Sequence, residues 1–228
     1  KRCRETPVGF MHDFDPRSAL EVSEEERLAQ YEDLWAQPGF KKWLGNFHDI
    51  MTNMEANETF AEFVRNKIRE RVKDPVVAEM LVPKDHMFGS KRLPCDSGYY
   101  EVYNQDNVEL VDLNENPIER ITPRGIETRD ALYELDIIIY ATGFEVQKTG
   151  IYNEIRGVKG VEINEKYKDG IRTVLGIHSH GYPNLFFMTG PNSGPGHNSL
   201  LVYVEGQIEY AVTGITTILR QNLRYLDV

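Results

Sequence analysis

The end of the chain places an apolar segment, a glycine-rich loop and a long amphipathic pattern in direct succession. Residues 184–188 (Asn-Leu-Phe-Phe-Met) predict a buried strand, and residues 199–219 predict a helix with apolar side chains at spacings of three and four. Between them lie Gly190, Pro191, Asn192 and further glycines. A glycine-rich turn from strand to helix brings backbone N–H groups close to an anionic ligand. This unit predicts an α/β fold, and a tight turn without a ligand stays an open alternative.

A second buried strand is predicted over residues 134–140, which end in a continuous apolar run. Strands that are apolar on both faces belong to parallel sheets covered by helices. The following Ala141, Thr142, Gly143 and Phe144 would then lie at the carboxyl end of that sheet, where α/β folds bind ligands. An ordinary strand-end turn is the alternative. Residues 107–112, 117–122 and 125–128 alternate as a small antiparallel set of strands does.

The first 82 residues read as a helical segment in front of these strands. Ser23 followed by Glu26 predicts a capped helix that Gly39 ends, and residues 57–73 carry an apolar stripe at helical spacing. Asp74 and Pro75 predict the end of that helix and the start of a short one. We expect this part to pack or to act as a lid.

Three cations stand within nine residues at Lys84, Lys91 and Arg92, in a chain of formal net charge −10. A lysine beside an arginine can divide two tasks, because the ammonium meets a phosphate as a point charge while the guanidinium is a fixed, always charged fork. The alternative is a solvated basic loop.

The composition argues against several classes of protein. The acidic balance of 36 to 26 argues against general nucleic-acid binding or adhesion to anionic membranes. The apolar stretches are too short to span a bilayer. The two cysteines, Cys3 and Cys95, do not make a disulfide scaffold and favour a reducing, cytoplasmic location. His178 and His180 lack a third ligand, so no metal site is predicted.

The order of several motifs resembles the second half of a class B flavoprotein monooxygenase of the Baeyer–Villiger type. The matching motifs are Gly89-Ser90-Lys91-Arg92, Gly98-Tyr99-Tyr100-Glu101, Ile121-Thr122-Pro123-Arg124-Gly125, Ala141-Thr142-Gly143-Phe144 and residues 181–191. The Ala-Thr-Gly-Phe element is shared across class B flavoproteins, whereas Lys-Arg followed by Tyr-Tyr-Glu is more specific to the Baeyer–Villiger branch. Ser90 stands where many relatives have Cys.

The resemblance implies an FAD- and NADPH-dependent enzyme with two dinucleotide-binding domains and a helical insertion. Its parts would be residues 1–82 (insertion), 83–140 (second part of the NADP domain) and 141–228 (C-terminal part of the FAD domain). Lys91 would hold the 2′-phosphate of NADPH, and Arg92 would be catalytic, stabilising a flavin peroxide that converts a ketone and O₂ to an ester or lactone. Residues lining FAD or the substrate would be Thr142, Gly143, Gly190, Pro191, Asn192, Asn198, Ser199 and Leu200.

The glycine fingerprints for FAD and NADP are absent from these 228 residues, so the implied function is that of a longer parent protein. Two alternatives remain at this point. An N- or S-hydroxylating flavin monooxygenase shares the Ala-Thr-Gly-Phe element and would act on an amine or a thioether. A non-catalytic remnant or binding module would keep the fold without cofactors.

Overall fold

The computed structural model describes Glu5 and residues 10–143, 154–194 and 199–228. It mixes helices with a small sheet and divides into two compact units. The first unit is Phe14–Gly143, and the second consists of the described residues of Lys1–Asp13 and Phe144–Val228. None of the described helices is both long and apolar enough to cross a membrane.

Four helices lie in the first unit: α1 (Glu24–Ala36), α2 (Lys41–Leu44), α3 (Met54–Arg71) and α4 (Pro75–Leu81). The predicted caps are confirmed, since the Ser23 hydroxyl accepts the Glu26 N–H at 3.2 Å and the Asp74 carboxylate accepts the Val76 N–H at 2.8 Å. The helix α1 ends at Ala36, earlier than Gly39 predicted. The helix α3 begins three residues before the predicted start, because Asn53 caps it.

The core of the first unit is aromatic. The Tyr31 ring packs edge-on against Phe60 with centroids 4.7 Å apart and against Phe47 at 6.0 Å. The Tyr31 hydroxyl is hydrogen-bonded to Thr59 at 2.7 Å, and burial raises the pKa of this phenol. Edge-to-face pairs add to the burial of apolar area, so this cluster fixes α3 against α1.

Three short strands form an antiparallel sheet in the order β1 (Ile118–Thr122), β2 (Gly125–Thr128) and β3 (Leu132–Glu134). In its register Thr122 lies opposite Gly125 and Ile126 opposite Tyr133. A Cβ on Gly125 would lie 1.9 Å from the Tyr133 carbonyl oxygen, so only glycine fits this turn. The predicted antiparallel strands at 117–122 and 125–128 are confirmed.

The predicted strands at 107–112, 134–140 and 184–188 are wrong, because the structure has no strand over these residues apart from Glu134. A parallel strand exists only with hydrogen-bonded neighbours from elsewhere in the chain, and the described residues supply none here. Ile137 and Ile139 are accordingly 78% and 85% exposed. The local hairpins of β1 to β3 form without such partners.

The second unit contains α5 (Ile163–Tyr167) and α6 (Leu200–Arg220), which agrees with the helix predicted at 199–219. A small core of this unit consists of Ile163 of α5 with Tyr182 and Phe187. The apolar spacing predicts one inner face of α6 that consists of Leu201, Val204, Ile208, Ala211, Val212, Ile215 and Ile218. This prediction is wrong for most of them: Ala211 is buried, whereas Leu201, Ile208, Val212 and Ile215 are about half exposed or more. Gln207 is the other buried residue of this helix.

Candidate functional site

Asn57 fixes the loop that precedes the Lys91–Arg92 pair. Its side-chain amide donates to the Phe88 carbonyl oxygen at 2.9 Å and accepts the Phe88 N–H at 3.0 Å. The same NH₂ group donates to the Ile50 carbonyl oxygen at 2.7 Å. Asn57 is 2% exposed, and buried hydrogen bonds of this kind are costly to break because the freed groups lose water as well. The amide therefore holds the loop to α3.

The next residue, Gly89, is required by both its conformation and its surroundings. Its φ is +80°, and a Cβ there would lie 2.7 Å from both Met51 Sδ and Trp43 Nε1. Trp43 Nε1 donates to Met51 Sδ at 3.1 Å, so the two side chains that crowd the glycine are themselves linked. Residues other than glycine would be strained here. The chain direction entering Ser90, Lys91 and Arg92 is thus set by the core below it.

Lys91 and Arg92 are both exposed at the end of this loop. The Lys91 ammonium lies 3.4 Å from Asp85 Oδ2. Hydrogen bonds from His86 and Lys91 hold the pKa of Asp85 below its usual value, so this carboxylate is ionised at neutral pH. The Arg92 guanidinium carbon lies 5.0 Å from the centroid of the Phe40 ring. A cation over an aromatic face is a favourable contact that orients the side chain.

A turn after Arg92 is held by a second arginine. Arg71 of α3 donates to Glu101 at 2.6 Å and to Asp96 at 2.5 Å, and its guanidinium lies 4.9 Å from the centre of the Tyr100 ring. The bond to Glu101 raises the pKa of Arg71 and lowers that of Glu101. Close by, the hydrogen bond from the Tyr103 hydroxyl to Tyr99 raises the pKa of Tyr103 to about 12. The Tyr-Tyr-Glu motif is therefore tied to α3.

A cavity of about 950 Å³ opens between α1, α3 and the segment that follows Arg92. Its lining is mainly apolar and includes Trp35, Phe40, Val64, Phe88, Leu93 and Tyr100. Lys42 also lines it, and burial lowers the pKa of this lysine. The volume lies near the upper end of the range for small-molecule sites. Because Phe40 contributes to the wall and contacts Arg92, the cavity adjoins the arginine.

The second unit carries the glycine-rich loop. Gly190 has no room for a Cβ, which would lie 2.4 Å from Phe187 Cβ and 2.5 Å from the Gly176 carbonyl oxygen. The Asn192 amide donates to the Ile171 carbonyl oxygen at 3.1 Å, and Asn192 has a φ of +65°. The loop therefore has a defined shape up to Gly194, with its backbone close to neighbouring segments.

The other predicted site residues are dispersed. Thr142 and Gly143 end the first unit, both exposed, and a Cβ on Gly143 would meet nothing within 4 Å. Ser199 caps α6 in an extended conformation without a side-chain hydrogen bond, and Leu200 is 52% exposed. Asn198 lies outside the described residues. The structure groups Lys91 with Arg92, and Gly190 with Pro191 and Asn192, each group within its own unit.

Sequence reasoning missed two buried amides. Asn57 lies on the apolar stripe of α3, three residues before Phe60, and Gln207 lies within the apolar pattern of α6. The sequence feature that could have indicated them is a single amide on an otherwise apolar helix face, because a buried amide needs specific hydrogen-bond partners. Among the described residues, no three His, Cys, Asp or Glu side chains are grouped as a metal site would require. Cys95 is exposed and free, whereas Cys3 lies outside the described residues.

Comparison with known proteins gives the family. The chain is 49% identical over 192 residues to 2-oxo-Δ³-4,5,5-trimethylcyclopentenylacetyl-CoA monooxygenase of Pseudomonas putida, covering 84% of this chain and 35% of that protein. It is 38% identical to a Baeyer–Villiger monooxygenase of Pseudooceanicola batsensis, covering 99% and 41%. The chain is homologous to one segment of the Baeyer–Villiger monooxygenases. Cyclohexanone 1,2-monooxygenase of Acinetobacter is 37% identical, with 99% and 41% covered.

The fold of this Baeyer–Villiger segment agrees with solved structures. A crystal structure of OTEMO in complex with FAD and NADP superposes with a TM-score of 0.93 at 44% identity, covering 98% of this chain and 42% of that one. The predicted fold, part of a flavoprotein with two dinucleotide-binding domains, is thereby confirmed. No family model matches the chain. The chain spans about two fifths of the length of these relatives, or slightly less.

Proposed function

We propose that the chain is part of an FAD- and NADPH-dependent monooxygenase that inserts one oxygen atom of O₂ next to a ketone carbonyl, giving an ester or lactone. The observation that carries this proposal is the pair Lys91–Arg92 at the end of a loop fixed by Asn57 and Gly89. Homology to cyclohexanone 1,2-monooxygenase supports a ketone substrate over the amine or thioether of a hydroxylating enzyme.

The residues present fit the two cofactors. Gly190 packs closely against Phe187 and the Gly176 carbonyl oxygen, which sets the backbone that leads into Pro191 and Asn192, where a ring system or a phosphate would bind. Lys91 is exposed, and among the described residues its ammonium pairs with the Asp85 carboxylate at the long distance of 3.4 Å, so it can meet the 2′-phosphate of NADPH. We assign FAD to residues 190–192 and 198–200, with Thr142 and Gly143 at the crossing between the domains.

We also propose the division into residues 1–82 as helical insertion, 83–140 as part of the NADP domain and 141–228 as part of the FAD domain. The break between the compact units at Gly143 and Phe144 lies close to the second of these boundaries. The low cysteine content supports a cytoplasmic location for the full-length protein.

When bound, NADPH supplies the hydride and reduced FAD activates O₂. The role of Arg92 is electrostatic, since a guanidinium does not release its proton at neutral pH and stabilises negative charge on oxygen throughout the transfer. Arg92 contacts Phe40, which also lines the apolar cavity, so we place the guanidinium beside this cavity, where a ketone would bind away from water. Water exclusion strengthens the field of the guanidinium.

The test uses the full-length protein with NADPH and ¹⁸O₂. With cyclohexanone we expect one ¹⁸O atom in a product 18 mass units heavier than the ketone, identified as the lactone. An amine oxide or sulfoxide formed in preference to the lactone would favour the hydroxylating alternative. Reading the parent sequence for two strand–Gly-x-Gly-x-x-Gly–helix units separates both enzymes from a non-catalytic remnant, which would lack them.

A further inference from the structure

The loop 189–192 is conformationally strained at its first residue. Thr189 has a φ of +52°, although a β-branched residue rarely enters the left-handed region. Asn192 also lies in this region, but asparagine tolerates it better. Such a conformation persists only where the surroundings determine it. A specific contact must therefore hold Thr189.

That contact comes from the interior of α6. The side-chain oxygen of Gln207 accepts the Thr189 N–H at 2.8 Å, and Gln207 is 3% exposed. The hydrogen bond also fixes the orientation of the amide, since a flipped amide would set its NH₂ group against the Thr189 donor. Within the described residues, the Gln207 NH₂ group is buried without a hydrogen-bond partner. A helix-interior side chain thus reaches the backbone of the loop.

The other side-chain hydrogen bonds to this loop from the described residues hold its later part. The Ser193 hydroxyl donates to the Gly190 carbonyl oxygen at 2.6 Å, and the Thr173 hydroxyl donates to the Pro191 carbonyl oxygen at 3.1 Å. These bonds arise from the loop itself and from the segment before residue 174. The link from Gln207 differs because it connects the start of the loop to the same helix whose first turn begins at Leu200.

We propose that Gln207 is a positioning residue for FAD. By accepting the Thr189 N–H it sets the strained backbone that leads into Gly190, Pro191 and Asn192, and it couples this loop to α6. The inference rests on the proposed function, in which the loop and the first residues of α6 face the flavin. Gln207 acts through the loop, so its loss changes how FAD is held.

The test compares two substitutions in the full-length protein. Gln207→Met keeps the length of the side chain but removes the acceptor, so Thr189 N–H is left unsatisfied. We expect the Kd for FAD to rise about tenfold or more, with a changed visible spectrum of the bound flavin. Gln207→Glu keeps an oxygen that accepts the same N–H. We expect this variant to bind FAD more tightly than Gln207→Met and to retain the wild-type spectrum.

Ala211→Gly is the matched control, because Ala211 is buried one turn further along the same face of α6. It loosens the helix without touching the loop, and we expect a wild-type flavin spectrum. The inference is overturned if Gln207→Met binds FAD as wild type does, if Gln207→Glu and Gln207→Met are equally weakened, or if Ala211→Gly matches Gln207→Met. Failure of the wild-type protein to bind FAD would instead overturn the proposed function.

Discussion

The side chain of Asn57 pairs with the backbone of Phe88 as a neighbouring strand would, donating to its carbonyl oxygen at 2.9 Å and accepting its N–H at 3.0 Å. The two residues are 31 positions apart in the chain. One buried amide of α3 therefore sets the position of the loop that carries Lys91 and Arg92, which lies outside any helix or strand.

We expect Asn57→Ala to destabilise the protein by roughly 3 kcal/mol. The substitution leaves the Phe88 N–H and the carbonyl oxygens of Ile50 and Phe88 without their hydrogen-bond partner in the interior. Urea unfolding followed by circular dichroism measures this as a lower midpoint. Asn66→Ala is the control, since Asn66 is exposed on the same helix and accepts a hydrogen bond from the partly exposed Arg69. It should change stability by less than about 0.5 kcal/mol. Equal effects of the two substitutions would contradict the role given to Asn57.

Lys91→Ala should raise the KM for NADPH without an equal change for NADH, because the ammonium is assigned to the 2′-phosphate that only NADPH carries. Steady-state kinetics of the full-length protein with both cofactors measures this. Lys84→Ala removes the same charge from the same loop, but Lys84 is paired with Glu79 at 3.0 Å. The control should leave the preference for NADPH intact. A Lys91→Ala effect of the same size on both cofactors would refute the assignment.

The ion pairs of Glu79 predict how the stability of the fold depends on pH. Its hydrogen bonds from Arg69 at 2.6 Å and Lys84 at 3.0 Å lower its pKa from 4.5 to about 2. A carboxylate with a lowered pKa in the folded state stabilises the fold above its unfolded pKa, and this contribution is lost as the pH falls from about 4.5 to about 2. Arg69→Met should therefore raise the pKa of Glu79, measured by carboxyl ¹³C NMR. Because the pair is exposed, 1 M salt should weaken the shift, and an unchanged pKa in Arg69→Met would show that the pairing is absent.

The 228-residue chain expressed alone should be colourless, poorly soluble and inactive. Ile137 and Ile139 are 78% and 85% exposed, and Leu201 on α6 is 79% exposed. Ile138 and Phe186 are only partly covered. Exposed apolar side chains in such number are typical of surfaces that other chain segments cover. Size-exclusion chromatography with absorbance at 450 nm tests this, and a yellow, monodisperse preparation would contradict it.

The sequence predicted the features that depend on neighbouring residues. Ser23 and Asp74 predict helix starts because their side chains accept hydrogen bonds from N–H groups two or three positions further along the chain. The turn at Gly125 is predicted because it joins strands that are adjacent in the sequence. The strand predictions at 134–140 and 184–188 were wrong because an apolar run indicates only that a segment is favourable to bury. Whether it becomes a strand depends on partners from distant parts of a chain.

In the candidate site, too, the sequence predicts the local features and not the contacts between distant residues. Lys91 and Arg92 were predicted from a local concentration of positive charge together with the resemblance to the Baeyer–Villiger family. No local sequence pattern indicates which residues fix their position. Asn57 holds the loop before Lys91 and Arg92 through Phe88, which is 31 positions away, and Gln207 holds the start of the loop at Thr189, 18 positions away in the other unit. Hydrogen bonds of such separation have no sequence period. Only the presence of an amide on an apolar stripe marks these positions in advance.

Arg92 gives the sharpest prediction for the chemistry. If its guanidinium stabilises negative charge on oxygen during transfer to the ketone, then Arg92→Ala should retain FAD and still oxidise NADPH, but form lactone more slowly by on the order of 10²-fold or more. The electrons from NADPH should instead reduce O₂ to hydrogen peroxide, in an amount that matches the NADPH oxidised. Stopped-flow absorbance follows reduction, and gas chromatography follows the lactone, so the two steps are measured separately.

Two further variants decide the role of Arg92. Arg92→Lys should restore little activity, because an ammonium lacks the rigid fork and the planar face that lies over Phe40 at 5.0 Å. Arg124→Ala is the control, since Arg124 is an exposed arginine of the same unit that is paired with Glu134. It should leave the lactone yield unchanged. A normal lactone yield in Arg92→Ala, with the fold intact by circular dichroism, would mean that the Lys91–Arg92 pair is a solvated basic loop and that the site lies elsewhere.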